Sequence, residues 1–171
     1  MSPRSSLRPL ALTGSALAAA LLLSGCSIPA NVFSGDAQRN EKGAVTADSN
    51  IDIFELKVGD CKLADDVSSA ELSETNVVPC EDPHDEEIFY EFDLPEGEFP
   101  AAAIVEKTVW EKCDPQFEAF VGLNEADSAL TYAYFSPTQD GWEQLDDRTI
   151  QCVLFSEDGT PLEGSAKGTK I

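Results

Sequence analysis

Alternation of apolar and polar residues predicts five β-strands after residue 50. The runs cover residues 51–58, 75–79, 87–94, 131–135 and 149–155, and they are rich in β-branched and aromatic residues. Gly59-Asp60 follows the first run, and Glu157-Asp158-Gly159 follows the last, so turns are predicted at both places. Leu162 is expected to begin a short final strand.

Between the third and fourth strands the apolar period changes from two to about four. A helix is predicted over residues 101–112, and one face of it carries Ala101, Val105, Val109 and Cys113. Asp114-Pro115 is expected to start a second helical segment, with Asp as the N-cap, and Gly122 is expected to end it. The order of strands, helices and strands predicts a small α+β domain with a mostly antiparallel sheet and one packed helical segment.

The first 25 residues are expected to be a lipoprotein signal peptide. Arg4 and Arg8 precede an uncharged run over residues 9–23, which is too short for a permanent membrane helix. Leu23-Ser24-Gly25-Cys26 then matches a lipobox, in which the cysteine thiol takes up the lipid. We therefore predict lipidation of Cys26, with palmitate among the acyl chains, and a location on the extracytoplasmic face of the cell membrane.

Residues 26–50 are predicted to be a flexible tether. The segment is rich in Ser, Ala, Asn, Gly and charge, and it has few large apolar residues, so it cannot bury enough surface to fold alone. Docking of Phe33 on the domain is the alternative. Residues 51–171 are then the globular domain.

The charge of the chain is strongly negative, with 32 acidic and 11 basic residues. Removal of Arg4 and Arg8 with the signal peptide leaves 9 basic residues and a formal charge of −23. Such a field repels nucleic acid and anionic lipid head groups, and we predict no nucleic-acid partner. It suits cationic partners and divalent ions, or serves solubility.

The four cysteines that remain after lipidation of Cys26 predict two disulfides. They are separated by 19, 33 and 39 positions, whereas zinc sites bring their cysteines in closely spaced pairs. Of the three pairings, we favour Cys61–Cys80, which joins a loop after one strand to the end of the next. The second bridge is then Cys113–Cys152, which joins the helix to the last long strand.

His84 is the only histidine and lies in an acidic stretch over residues 80–87. An imidazole beside carboxylates can bind a metal or act as a general base. The preferred alternative is a structural ring bonded at a turn, because a second histidine is missing. The acidic clusters 81–87 and 140–147 lack calcium-loop spacing, so we predict no metal and no cofactor.

The chain is predicted not to be an enzyme, because it has neither a Gly-x-Ser-x-Gly elbow nor a cysteine nucleophile with a plausible base. A wall-active hydrolase needs only two well-placed carboxylates, and it is kept as an alternative together with an ion- or solute-binding lipoprotein. The aromatic residues that a sugar groove would need are expected to pack in the core. Arg148 could clamp a carboxylate ligand, but a structural pair with Asp146 or Asp147 is preferred.

Short motifs accompany the cysteines along the chain. They are Val58-Gly59-Asp60-Cys61, Val78-Pro79-Cys80 followed by Pro83-His84 and Glu87, the helix with Cys113, then Trp142, Asp147-Arg148 and Cys152, and finally Gly164-Ser165. Together, over about residues 54–168, they resemble the septum formation family of extracellular domains from actinobacterial-type Gram-positive bacteria. Members usually have glycine before the Asp-Arg pair. Asp146 takes that place here, so the local turn is expected to differ.

The resemblance implies a disulfide-braced scaffold and a part in septum formation and cell division, without a reaction or a ligand. It makes five residues candidates for a functional or a structural role: His84, Glu87, Trp142, Asp147 and Arg148. We therefore predict a non-enzymatic interaction module of the cell envelope. Its expected partners are the membrane, through the lipid anchor, and a cell-envelope or division protein.

Overall fold

The computed structural model describes residues 35–65 and 73–171, in which one antiparallel sheet and one long helix form an α+β domain. The sheet order is β1-β3-β2-β4-β6-β5. The strands are β1 (Ser49–Asp52), β2 (Cys61–Lys62), β3 (Glu74–Val78), β4 (Glu86–Asp93), β5 (Leu130–Phe135) and β6 (Thr149–Ser156), and the helices are α1 (Ala102–Val121) and α2 (Gln139–Gln144). This architecture confirms the predicted fold class. The predicted signal peptide, Cys26 and Phe33 lie outside the described residues.

The longest strands, β4 and β6, pair at the centre of the sheet and share a bulge at Phe89. Their register runs from Glu86 opposite Phe155 to Asp93 opposite Thr149, and it shifts between Ile88 and Tyr90. A bulge inserts one residue, so every later side chain changes face. Consequently Phe89, Tyr90 and Phe92 all pack with the helix-side core, whereas Ile88 belongs to a separate core on the opposite face.

Helix α1 covers the first face of the sheet. Its buried positions recur every four residues without a break: Val105, Val109, Cys113, Phe117 and Val121. They pack against residues of the three longest strands, among them Phe89, Tyr132, Ile150 and Leu154. Edge-to-face contacts of Phe89 with Phe117 and Tyr132, both at 5.7 Å between ring centroids, fill the centre of this layer.

The prediction of a new helix at Asp114-Pro115 was wrong, because α1 continues through Pro115. Proline removes one backbone donor from the helix interior, a loss of about 3 kcal/mol. The apolar stripe nevertheless keeps its period across residue 115, and burial of Phe117 and Val121 against the sheet offsets that loss. The predicted end is confirmed: Gly122 has φ 90° and its N–H donates to the carbonyl of Glu118.

Both predicted disulfides are confirmed. Cys61–Cys80 joins the start of β2 to the turn that follows β3, and Cys113–Cys152 joins α1 to β6. In the loop-entropy account, closures of this length stabilise the fold by about 3 and 4 kcal/mol. The second bridge fastens the helix to the central strand pair.

The second face of the sheet is covered by the chain before and after β1. Its core contains Ile51, Leu56, Val77, Ile88 and Val153, and two residues of the predicted tether, Ala37 and Val45, join them with 7% exposure each. Residues 38–46 form a turn in which Thr46 N–H donates to the carbonyl of Gln38. The prediction of a tether up to residue 50 is therefore wrong for residues 35–50.

Arg39 holds this turn to the domain. Its guanidinium forms two hydrogen bonds with the carboxylate of Asp60, at 2.5 and 2.7 Å, and donates to the carbonyls of Gly43 and Glu55. Asp60 is 2% exposed and also accepts from the Lys57 N–H at 2.9 Å. Two charges in a partly buried site with nearly full hydrogen bonding fix the position of the segment.

The strand predictions hold with small shifts, except for the first and the last. The strand predicted over residues 51–58 ends at Asp52, whose side chain accepts from the Phe54 N–H and caps a 3-10 turn over Ile53–Glu55. Leu162 forms a single bridge with His84, not a strand. No helix in either described stretch has the length and apolar content that crossing a membrane requires.

Replacing Arg39 by Ala is expected to lower the free energy of unfolding by about 3 kcal/mol, because Asp60 is left as an uncompensated buried charge. Lys42→Ala, in the same turn but exposed, is the matched control and is expected to change it by less than about 0.5 kcal/mol. Urea unfolding of both variants measures the difference. Equal values for the two would show that residues 35–50 do not contribute to the fold.

Candidate functional site

The structure divides the five candidate residues between opposite ends of the central strand pair. Glu87 lies opposite Leu154, whereas Asp147 and Arg148 immediately precede Thr149, which lies opposite Asp93. Six residues of strand separate the two ends, which corresponds to about 20 Å. His84 and Glu87 therefore do not form one site with Trp142, Asp147 and Arg148.

Glu87 holds the C-terminal segment against the sheet. Its carboxylate is fully buried and accepts hydrogen bonds from the Ser165 hydroxyl at 2.6 Å and from the Ala166 N–H at 2.7 Å. Burial raises the pKa of this carboxyl, and the two hydrogen bonds and the nearby His84 oppose that rise. The arrangement uses the carboxylate oxygens internally and leaves them no contact with solvent.

His84 fastens the same segment through its backbone. Its N–H donates to the carbonyl of Leu162 at 3.0 Å, and the Leu162 N–H donates back at 2.7 Å. The ring is fully buried, with Nδ1 2.9 Å from the carbonyl of Asp82, and Nε2 is without a hydrogen-bond partner among the described residues. Its contacts are thus those of a structural residue at a turn.

One group of potential metal ligands occurs within the described ranges, and it is Cys61, Cys80 and Glu87. The disulfide joins its two sulfur atoms, and Glu87 is bonded to Ser165 and Ala166. A disulfide sulfur has no thiolate to offer, so this group is not suited to hold a metal ion.

At the other end of the strands, Arg148 stacks on Trp142. The guanidinium carbon is 3.8 Å from the centroid of the indole ring, and Nη1 donates to the carbonyls of Trp142 and Asp147. Nη2 pairs with Asp146 at 2.8 Å and with Glu96 at 3.4 Å. The indole N–H donates to the carbonyl of Gly97. This stack ties α2 to the loop after β4, so Arg148 is committed to internal contacts.

Asp146 lies in a turn whose backbone conformation suits glycine. Its φ of 58° lies in the left-handed region, which an L-residue with a Cβ atom enters at a cost. Asp and Asn tolerate this region best among the non-glycine residues. The backbone conformation of Asp146 is thus one that glycine adopts without this cost.

Asp147 lines a groove of about 1050 Å³ on the second face of the sheet, which sequence reasoning did not predict. Its floor contains Glu91, Gln151 and Phe135, which lie opposite one another on β4, β6 and β5. One wall is the 3-10 turn with Asp52 and Phe54, and the other is α2 with Asp140, Gln144 and Leu145. We call this surface the groove.

The sequence indicates only some of the features that form the groove. Alternation in β4 indicates that Glu91 and Asp93 share a face, but the bulge at Phe89 decides which face it is. With the bulge, both carboxylates lie on the side of the 3-10 turn, not under α1. The contribution of α2 was missed because a six-residue helix gives almost no periodicity.

These features define a small, acidic, disulfide-braced α+β domain. A family model described as Septum formation matches residues 26–170. Because the match covers more than half of the chain, the protein belongs to the septum formation family, and this membership supports a role in septum formation. The matched range includes residues 35–50, which the structure packs on the domain. No curated protein and no solved structure matches the chain.

The raised pKa of Glu87 gives a pH dependence with a definite sign. Between the ordinary value near 4.5 and the raised value, the folded protein binds more protons at this site than the unfolded chain, so stability falls as pH rises. In Glu87→Gln this contribution to the slope is expected to vanish. Unfolding free energies measured across that pH range check it, with Glu91→Gln on the exposed face of the same strand as the control.

If the pH slope of Glu87→Gln equals that of the wild type, Glu87 does not titrate differently in the two states. If Glu91→Gln removes as much of the slope, the effect comes from the overall negative charge and not from burial.

The turn at Asp146 is tested by two substitutions. Asp146→Gly is expected to stay within about 0.5 kcal/mol of the wild type, and Asp146→Val to lose about 1–2 kcal/mol, because a β-branched residue is strained at φ 58°. Glu96→Val removes the other carboxylate partner of Arg148 without this strain and is the control. Thermal or urea unfolding compares them, and equal losses in both valine variants would contradict the assignment of strain.

Proposed function

We propose that the protein is an exported lipoprotein, anchored through Cys26 on the outer face of the membrane, and that it acts there as a non-enzymatic interaction module in septum formation. The lipobox at residues 23–26 supports the anchor. Membership of the septum formation family supports the process. The two disulfides suit a compartment outside the reducing cytosol.

The observation that supports the non-enzymatic role is that Glu87, His84 and Arg148 form contacts within the fold. Glu87 accepts from Ser165 and Ala166, His84 bonds within its own turn, and Arg148 is held by Trp142 and Asp146. Each therefore braces the fold, and none of these three residues lines the groove. The groove offers a separate surface for a partner.

A wall-active hydrolase is less well supported by the same contacts. A glycosidase requires a carboxylic acid with a raised pKa that reaches the substrate. Burial raises the pKa of the Glu87 carboxyl, but this group is closed off beneath Ser165 and Ala166. Incubation of the purified protein with wall material, followed by analysis of released muropeptides, tests the alternative directly. Release that disappears on substituting one Asp or Glu of the groove would overturn the non-enzymatic role.

The position of a tagged full-length protein in dividing cells tests the proposed function. We expect enrichment at division sites for the wild type and its loss in Cys26→Ala, because the unlipidated chain has no stable attachment to the membrane. Ser27→Ala, at the neighbouring position, keeps Cys26 and both disulfides and is the control for effects of substitution at this place in the chain. Mass spectrometry of Cys26-containing peptides establishes the acyl chains.

An even distribution of the wild type around the envelope would overturn the role in septation. Equal membrane retention of the wild type and Cys26→Ala would overturn the lipid anchor. The two measurements are separate, because membrane fractionation reads the anchor and microscopy reads the location.

A further inference from the structure

We propose that the groove binds a segment of a partner protein that carries several basic residues interspersed with apolar ones. The inference rests on the proposed function as an interaction module and gives the chemistry of its partner. It comes from the uncompensated charge of the groove, the spacing of that charge and the apolar side chains beside it.

The lining of the groove is strongly anionic. It contains one basic residue, Lys57, and five carboxylates: Asp52, Glu91, Asp93, Asp140 and Asp147. None of these carboxylates forms an ion pair with a basic residue in the part of the chain that the structure describes. Elsewhere, the buried carboxylate of Asp60 is paired with Arg39. The local formal charge of −4 is thus available to a cationic ligand, which it attracts and steers.

The carboxylates of the groove are spread out. Within the described residues, Cys61, Cys80 and Glu87 are the only three potential ligands whose atoms all lie within 4.8 Å of one another. A calcium ion requires six to eight oxygen ligands around one point. Carboxylates placed along a groove instead match several cations at intervals, as in Lys and Arg side chains on a polypeptide.

Apolar side chains on the walls favour a polypeptide over a simple polycation. Phe54, on the 3-10 turn, is 56% exposed, and Leu145, after α2, is 65% exposed. Burying these side chains against an apolar residue of the ligand would contribute about 25 cal/mol per Å² of area removed from water. The volume of about 1050 Å³ is at the upper limit for small-molecule sites and suits an open groove for a chain segment.

The floor of the groove contains one polar side-chain atom, the amide oxygen of Gln151, that can orient a bound peptide segment. Gln151 is 8% exposed, and its side-chain N–H donates to the carbonyl of Leu56 at 3.1 Å, which fixes the amide. No hydrogen bond from a described residue reaches its side-chain oxygen. This acceptor lies between Glu91 and Phe135 in the row across the sheet, so it is placed to receive an N–H group of the ligand.

The same charge argues against two other occupants. A second copy of this chain carries the same strong negative charge and would be repelled at this surface. Nucleic acid and anionic lipid are disfavoured for the same reason. A basic, partly apolar segment of another protein is the occupant that complements both features of the groove.

The test uses the full chain purified in detergent and a fluorescent peptide of twelve residues in which Lys and Leu alternate. Two further peptides are controls: one has Glu in place of Lys, and one has Ser in place of Leu. Empty micelles give the blank. Fluorescence anisotropy at low salt is expected to show binding of the Lys-Leu peptide, weaker binding of the Lys-Ser peptide and none of the Glu-Leu peptide.

Matched variants locate the binding. The double variant Glu91→Gln with Asp140→Asn changes two exposed residues of the groove and is expected to raise the Kd of the Lys-Leu peptide about 5–10-fold. Glu106→Gln with Glu118→Gln removes the same charge from the exposed face of α1 and is expected to change it less than about twofold. Phe54→Ser is expected to weaken binding of the Lys-Leu peptide and to leave binding of the Lys-Ser peptide unchanged.

Equal weakening by the two double variants would overturn the proposal, since attraction would then depend only on total charge. Equal affinity for the Lys-Leu and Lys-Ser peptides would also overturn it. So would a thermal shift with calcium that Glu91→Gln with Asp140→Asn abolishes, because the groove would then be an ion site. Each result is independent of microscopy: failure of septal enrichment removes the proposed function, whereas failure of peptide binding removes only this partner.

Discussion

Antiparallel pairing of β4 with β6, with its bulge at Phe89, is the constraint on which the rest of the molecule depends. Because one residue is inserted there, three aromatic side chains, Phe89, Tyr90 and Phe92, are available to the helix-side core. The same shift directs Glu91 and Asp93 to the opposite face, where the groove lies. A single irregularity in one strand therefore builds a large aromatic core and an acidic binding surface on two sides of one sheet.

The buried basic residues of this protein are paired with nearby carboxylates, although the chain as a whole is strongly acidic. Lys62 is fully buried between Asp65 at 2.7 Å and Glu86 at 2.6 Å, and its ammonium lies 5.4 Å from the centroid of the Phe135 ring. Arg39 is held by Asp60 in the same way. Because 11 basic residues cannot neutralise 32 acidic ones, using them for internal pairs leaves the exposed carboxylates without partners. The negative surface is a consequence of this distribution.

Sequence patterns predicted the fold class, both disulfides, the end of α1 and most strands, because these depend on period, spacing and local turn chemistry. They failed where a tertiary contact decides the structure. Residues 35–50 have few apolar side chains, yet Ala37 and Val45 are buried once Arg39 meets Asp60. Pro115 indicates a helix start locally, whereas packing of Phe117 keeps the helix continuous. The groove depends on a bulge and on a six-residue helix, neither of which has a sequence period.

The ion pair of Arg39 with Asp60 also sets a length. With the lipid on Cys26, as proposed, and the chain held to the domain from residue 37 onward, about ten residues join the acyl chains to the folded part. However they are arranged, they span at most about 35 Å. The domain would then be held by a short linker, and its partners would be confined to a thin layer next to the bilayer. Loss of the ion pair between Arg39 and Asp60 would lengthen that linker and widen the layer that the groove can reach.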